Sequence, residues 1–168
     1  MTFTTFGHDL AEDLDLGHDP RDVDEDLLAE EVRVGCTQGM LLCLDREHRM
    51  AYVLGEVLQF HSEEAAAVCE ITPAAFRKRL ERARSRLSEF MHGHCGLVNP
   101  ANACRCRRRI GAAISHGRLD PSDLLFARRV DALKRDMERF SDAGAVFRSH
   151  PEIRSESRVV DAVVRAVA

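Results

Sequence analysis

The side chains best suited to bind a cation crowd into one short stretch. His92, His94, Cys95, Cys104 and Cys106 fall within fifteen residues. Zinc takes Cys and His ligands tetrahedrally, and a loop between ligand groups is normal. His94, Cys95, Cys104 and Cys106 form the candidate set for one structural zinc ion. The C-x8-C-x-C spacing is not one of the common paired patterns, so free thiols or a redox pair are the competing readings. Arg105 and Arg107–Arg109 lie among these ligands, and such guanidinium groups also grip phosphate. Cys36, Cys43 and Cys69 read as small core hydrophobes, and His48, His61, His116 and His150 are isolated. The sequence holds no P-loop, G-x-G-x-x-G, H-E-x-x-H or nucleophile elbow. The expected task is therefore binding rather than catalysis, with no catalytic residues and no cofactor beyond the candidate zinc.

A second concentration of chemistry is cationic. The chain has 168 residues and a net charge of −4, placed unevenly. Residues 1–31 sum to −10, whereas residues 72–91 and 92–109 each carry +4, a block of +8 within 38 residues. A local basic stripe favours nucleic acid even on an acidic chain; the plainer alternative is a solvated helix face. The first half of that block has helical order. Phe76, Leu80, Ala83, Leu87 and Phe90 recur at spacings of 4, 3, 4 and 3, so they share one face. Lys78, Arg82 and Arg86 lie opposite, with Arg77 and Arg84 at the edges and Arg79 nearer the apolar side.

The elements that position these groups are all helical. Scarce aromatics, eight Phe, one Tyr and no Trp, disfavour a β-sandwich, and the expected fold class is all-α. Residues 1–26 form an acidic, weakly ordered lead broken by Gly7, Gly17 and Pro20. Residues 27–92 form the main domain. Its first helix carries Leu27, Leu28, Val32, Met40, Leu41 and Leu44, weakened by Gly35 and Gly39. Asp45 caps the next helix, Ser62 caps a short one, and Thr72-Pro73 opens the basic helix. Residues 93–119 read as a Cys/Arg-rich loop, and 120–168 as a helical extension opened by Asp120-Pro121. In that extension Phe126, Val130, Leu133, Met137 and Phe140 predict a long helix ending near Gly144, and Val159–Val167 a short last one. Six Cys without an export signal imply reduced thiols, and no apolar run approaches the ~20 residues of a membrane span. These features predict a soluble, cytoplasmic protein with no membrane partner.

The run SEEAAAVCE-IT-PAAFRKRLERARSRLSEFM (62–91) has the layout of a helix-turn-helix, whose second helix enters the major groove. Early residues of that helix reach bases and later ones reach phosphates. Ala74, Ala75, Arg77 and Lys78 are the base-contact candidates, and Arg82 and Arg86 the phosphate candidates. Residues 40–91 resemble region 4 of sigma-70 family RNA polymerase sigma factors of the extracytoplasmic-function type, with PAAFRKRLERAR (73–84) matching the recognition helix. CGLVNPANACRCRRR (95–109) resembles a tail carried by some actinobacterial members. The resemblance implies binding to the promoter −35 element and to the β flap of core RNA polymerase. It places Arg77, Lys78 and Arg82 on DNA, Ser62 and Glu63 near it, and helices over 32–58 behind the motif.

Two departures from the family pattern stand out. Region 2, which melts the −10 element, is not among these residues, so the chain reads as a truncated or mis-started frame, a decayed gene or a region-4-only regulator. The motif's turn usually carries Leu-Gly; here it is Cys69-Glu70, which puts Glu where a left-handed residue is expected. Two further readings compete: a free-standing regulator dimerising through 121–167, or a module that titrates polymerase or an anti-sigma factor without touching DNA.

Overall fold

The computed structural model describes residues 1–17, 23–127 and 143–148. Seven α-helices are built among them: α1 (Phe3–Ala11), α2 (Glu25–Leu42), α3 (Arg46–Tyr52), α4 (Ser62–Val68), α5 (Pro73–His94), α6 (Ile110–Ser115) and α7 (Ala143–Arg148). The fold is all-α. The one extended pairing among the described residues is an isolated bridge between Cys95 and Cys104.

α5 is the longest helix, and its ends are chemically marked. Thr72 Oγ1 accepts the Ala75 amide at 3.2 Å, and Pro73 supplies a first residue that needs no donor. Phe76, Leu80, Ala83, Leu87, Phe90 and Met91 are buried along one side. α3 begins at Asp45, whose carboxylate accepts the His48 amide at 3.0 Å, and runs into a π-helical turn, Val53–Val57. Gly55 in that turn lies against α5 so closely that a Cβ there would stand 2.5 Å from Leu80 Cδ2. Arg49 joins α3 to the end of α2 by donating to the Leu41 and Leu44 carbonyls, each at 2.9 Å.

The acidic lead is more ordered than its charge suggests. Thr2 caps α1, and Phe3, Phe6 and Leu10 form a short apolar stripe. The rings of Phe3 and Phe6 lie 5.1 and 5.8 Å from that of Phe90. Phe6 also fits over Gly39, where a Cβ would come within 3.1 Å of the ring. Gly39 therefore costs α2 some helix propensity and in return lets α1 approach. α2 runs unbroken through both glycines because it is buried on two sides. One side joins the main core with Met40 and Leu44; the other packs Leu28 and Ala29 against Ile110 and Leu119.

The C-terminal expectations fare differently. Residues 93–119 are not a loop throughout: a 3-10 turn, Arg107–Arg109, leads into α6. Asp120-Pro121 opens a turn rather than a helix, because Asp120 Oδ1 takes the Ser122 amide at 2.8 Å and its hydroxyl at 2.6 Å. Gly144 lies inside α7 instead of ending a helix. The rest of the 126–140 stripe and the Val159–Val167 helix lie outside the described residues.

α2 also carries buried charge. The Arg33 guanidinium donates to both carboxylate oxygens of Glu30, through Nε at 2.8 Å, and to the Val146 carbonyl of α7 at 3.0 Å. Glu31 accepts three consecutive amides, Leu125, Phe126 and Ala127, at 2.7, 2.8 and 2.8 Å. These carboxylates attach the C-terminal segments to α2. Removing one member of a buried pair strands the other. Arg33→Met is expected to destabilise the protein by about 3–5 kcal/mol, and adding Glu30→Met should recover most of that loss. Denaturant unfolding of the three proteins checks this; a double variant no better than Arg33→Met would contradict it.

Candidate nucleic-acid interface

α4 and α5 are joined by four residues whose hydrogen bonds define the turn. The Glu70 amide donates to the Ala67 carbonyl at 3.1 Å and the Ile71 amide to the Ala66 carbonyl at 3.0 Å. These are the two bonds of a Schellman termination, which needs a left-handed residue after the helix. Glu70 occupies that position with φ of 53°. Ser62 is the first helical residue of α4 rather than its cap; the cap is His61, whose amide donates to the Glu64 carboxylate at 3.1 Å. Ala65 and Ala66 are buried where α4 meets α5, and small side chains there permit close approach.

The cations of α5 divide by partner. Arg79 pairs with Glu47 at 2.9 Å, Arg84 with Glu56 at 2.5 Å and Arg86 with Asp45 at 3.4 Å. All three tie α5 to α3 or its π turn. Arg77, Lys78 and Arg82 are exposed and make no ion pair among the described residues. Ala74 beside them is exposed, Ala75 is half-buried, and Glu63 is exposed on the first turn of α4. The free cations thus share the solvent side of a helix whose other side is buried. Arg86, expected on phosphate, is instead engaged with Asp45.

The second half of the basic block is spent inside the molecule. Arg107 pairs with Asp26 and, at 3.4 Å, with Glu25. Arg108 donates through Nε to Asp15 at 2.7 Å, and Arg118 donates to Asp9 at 3.0 Å. Arg109 is buried, donates to the Glu12 carbonyl and lies 3.6 Å from Asp9. The Arg118 hydrogen bond holds the Asp9 carboxyl below the ordinary aspartate value, and Arg108 does the same for Asp15. Arg105 turns to its own loop and donates to the Pro100 and Cys104 carbonyls, each at 2.9 Å. Arg107, Arg108 and Arg109 thus clasp the acidic N-terminal segments, while Arg105 serves its own loop.

The candidate zinc ligands are not one group. His94 stacks on Phe90 with centroids 4.6 Å apart and covers Gly7, and His92 Nδ1 faces the Ser88 carbonyl at 2.8 Å. Cys95, Cys104 and Cys106 line a cavity of about 560 Å³, and Cys36 of α2, taken from sequence as a core filler, lines it too. All six cysteines are free. No group of three or more His, Cys, Asp or Glu among the described residues is placed to hold a metal ion as the structure stands. Burial and the neighbouring thiols push Cys104 up to about 11 and Cys106 up to about 12, and push Cys36 well above the ordinary thiol value. Such thiols are protonated at neutral pH.

Two substitutions test how the interface is positioned. Glu70→Gly removes the side-chain strain of a left-handed residue and is expected to stabilise by about 1 kcal/mol, seen as a raised melting temperature. An unchanged or lower value would mean that Glu70 is not strained. The His48 amide and imidazole, with Arg86, hold the Asp45 carboxyl down to about 2. A folded-state value below the unfolded one gives stability that is present at neutral pH and is lost as pH falls through the folded value. Asp45 is half exposed, so the expected cost of Asp45→Ala is only about 1 kcal/mol at pH 7. The difference from wild type should close between about pH 4 and pH 2 in thermal melts.

No family model, curated protein or solved structure matches this chain.

Proposed function

We propose that the chain works as a sigma-factor region-4 module that recognises a promoter −35 element and docks on core RNA polymerase. One observation carries this reading: α5 buries its apolar side while Arg77, Lys78 and Arg82 stand free and exposed on the other, just after a Schellman turn from α4. In this reading α4 and α5 are a helix-turn-helix. α5 lies in the major groove, with Ala74, Ala75, Arg77 and Lys78 at base edges and Arg82 on phosphate. Arg86 contributes little while it is held by Asp45. The half-buried Ser62 and exposed Glu63 sit at the start of α4, at the groove edge.

Polymerase docking has separate support. Leu42, Met50, Leu58 and Phe60 are exposed large apolar residues, on α2, α3 and the turn that follows it. Exposed apolar side chains on neighbouring elements are the kind of surface a protein partner covers. Leu42, Met50 and Leu58 fall within 32–58, the helices that the resemblance places behind the motif and toward the β flap, and Phe60 follows just after them. The work is binding and proceeds in the cytoplasm, where promoter and polymerase are found. No described helix is long and apolar enough to cross a membrane.

Lys78→Ala is expected to narrow the preference among −35 variants by about 1–3 kcal/mol, whereas Arg82→Ala should weaken all duplexes alike and flatten the salt dependence by about one counterion. Fluorescence anisotropy on a panel of duplexes at several salt concentrations separates the two effects. Lys78→Ala with an intact preference overturns its base-reading role. Saturable binding of the labelled chain to core polymerase tests the docking half, and its loss beside retained duplex binding would point to a free-standing regulator.

A further inference from the structure

We propose that Cys36, Cys95, Cys104 and Cys106 form a tetrathiolate site for a thiophilic divalent cation, with zinc as the fitting ion. Four thiols reach the wall of one cavity from three separate segments: the middle of α2, the C-terminal cap of α5, and the short arm 104–106. Three of them belong to the loop after α5, but Cys36 lies far away in sequence and only the fold delivers it. Burial is the main influence on the ionisation of Cys36 and Cys106, and the neighbouring thiols add to it. Each of Cys95, Cys104 and Cys106 opposes ionisation of Cys36, and Cys95 and Cys104 oppose that of Cys106.

The loop that presents them is braced rather than slack. Cys95 and Cys104 face each other across the isolated bridge, and the Gly96 amide donates to the Cys104 carbonyl at 3.0 Å. The Asn99 and Asn102 side chains both donate to the His92 carbonyl at 2.9 Å, and Asn102 also reaches the Cys95 carbonyl at 3.2 Å. Arg105 crosses directly over Gly96, where no side chain would fit. The braces hold backbone, not sulfur. Each Sγ turns about a single χ1 among staggered wells, so taking up an ion requires these thiols to turn toward a common point.

The charge around the site suits the product. Zinc with four thiolates carries a net −2, and binding converts four S–H groups into four Zn–S bonds with release of four protons. Arg109, Arg105 and Arg108 lie near enough to favour the Cys104 thiolate, and Arg33 does so for Cys106. Arg33 and Arg109 are themselves buried. His94 is left out of this set because its ring packs on Phe90 and is not among the groups that line the cavity. The bound ion would join α2, α5 and the arm that leads into the arginine clasp.

The test uses the full chain, reduced and metal-free, titrated first with Co2+ and then with Zn2+. The expected result is one Co2+ per chain, thiolate-to-cobalt charge-transfer bands with the intense red bands of tetrahedral cobalt, and displacement by zinc. Cys36→Ser should weaken binding by at least about tenfold and lower the charge-transfer intensity, while His94→Ala and Cys43→Ser leave both unchanged. Circular dichroism shows whether each variant is folded. Independently of any variant, zinc should protect Cys36, Cys95, Cys104 and Cys106 of the wild-type chain from alkylation while Cys43 and Cys69 still react. Three results would overturn the proposal: no stoichiometric uptake by the folded, reduced chain; a folded Cys36→Ser with wild-type bands and affinity; or zinc protection that leaves Cys36 open. Loss of the bands in His94→Ala would restore histidine to the site and equally overturn the four-thiol set.

Discussion

The whole arrangement depends on the burial of one side of α5. Phe76, Leu80, Ala83, Leu87, Phe90 and Met91 leave water together, and α1, α3, α4 and α7 all pack around that helix. Burying a large apolar side chain is worth about 1.5–3 kcal/mol, so this row outweighs any single polar contact in the molecule. It also fixes the helix in rotation. Once the apolar row faces inward, Arg77, Lys78 and Arg82 have to face water, and no further device is needed to present them. The ion pairs of Arg79, Arg84 and Arg86 with α3 and its π turn trim the position at the flanks, where exposed pairs contribute little individually.

A chain with an acidic N-terminus and a strongly basic middle faces a pairing problem. Left free, residues 1–31 would compete with any polyanion for the +8 block. The fold resolves this by position. The acids of the N-terminal segment are matched by Arg107, Arg108, Arg109 and Arg118, which lie beyond α5. α1 meanwhile lies along the end of α5 near Phe90, away from Arg77 and Lys78. Asp9, Asp15, Glu25 and Asp26 are thereby paired at one end of the helix, and the start of the helix keeps its cations. The same clasp folds the cysteine-bearing arm back onto α2, so charge pairing and the thiol cluster are products of one closure.

Much of this was legible in the residues. The period of α5 and its Thr72-Pro73 start, the Asp45 cap and the left-handed position at Glu70 follow from local chemistry, and local chemistry is what a sequence states directly. α1 was obscured because three apolar residues among many acids, with Gly7 between them, give too short a stripe to outweigh composition; its order comes from Phe90, eighty-four residues after Phe6. The partners of Arg107 and Arg108 and the place of Cys36 are tertiary facts with no local signature. Asp120-Pro121 misled for a physical reason: the same carboxylate that caps a helix also closes a turn on Ser122, and the amides that follow are claimed by Glu31 of α2. His94, a ligand type at ligand spacing, packs its ring on Phe90, a contact that the sequence does not announce.

The central claim is that the two halves of the basic block have different jobs, the first free for DNA and the second committed to the fold. The slope of log affinity against log salt for a −35 duplex measures this most directly, because it counts the phosphates that the protein neutralises. The account predicts that replacing Arg77, Lys78 and Arg82 together by alanine flattens the slope by roughly two to three counterions, while Arg107→Ala with Arg108→Ala leaves it unchanged. A slope that survives the first set of changes and falls with the second would contradict the account, and would move the nucleic-acid contact to the arginine-rich arm.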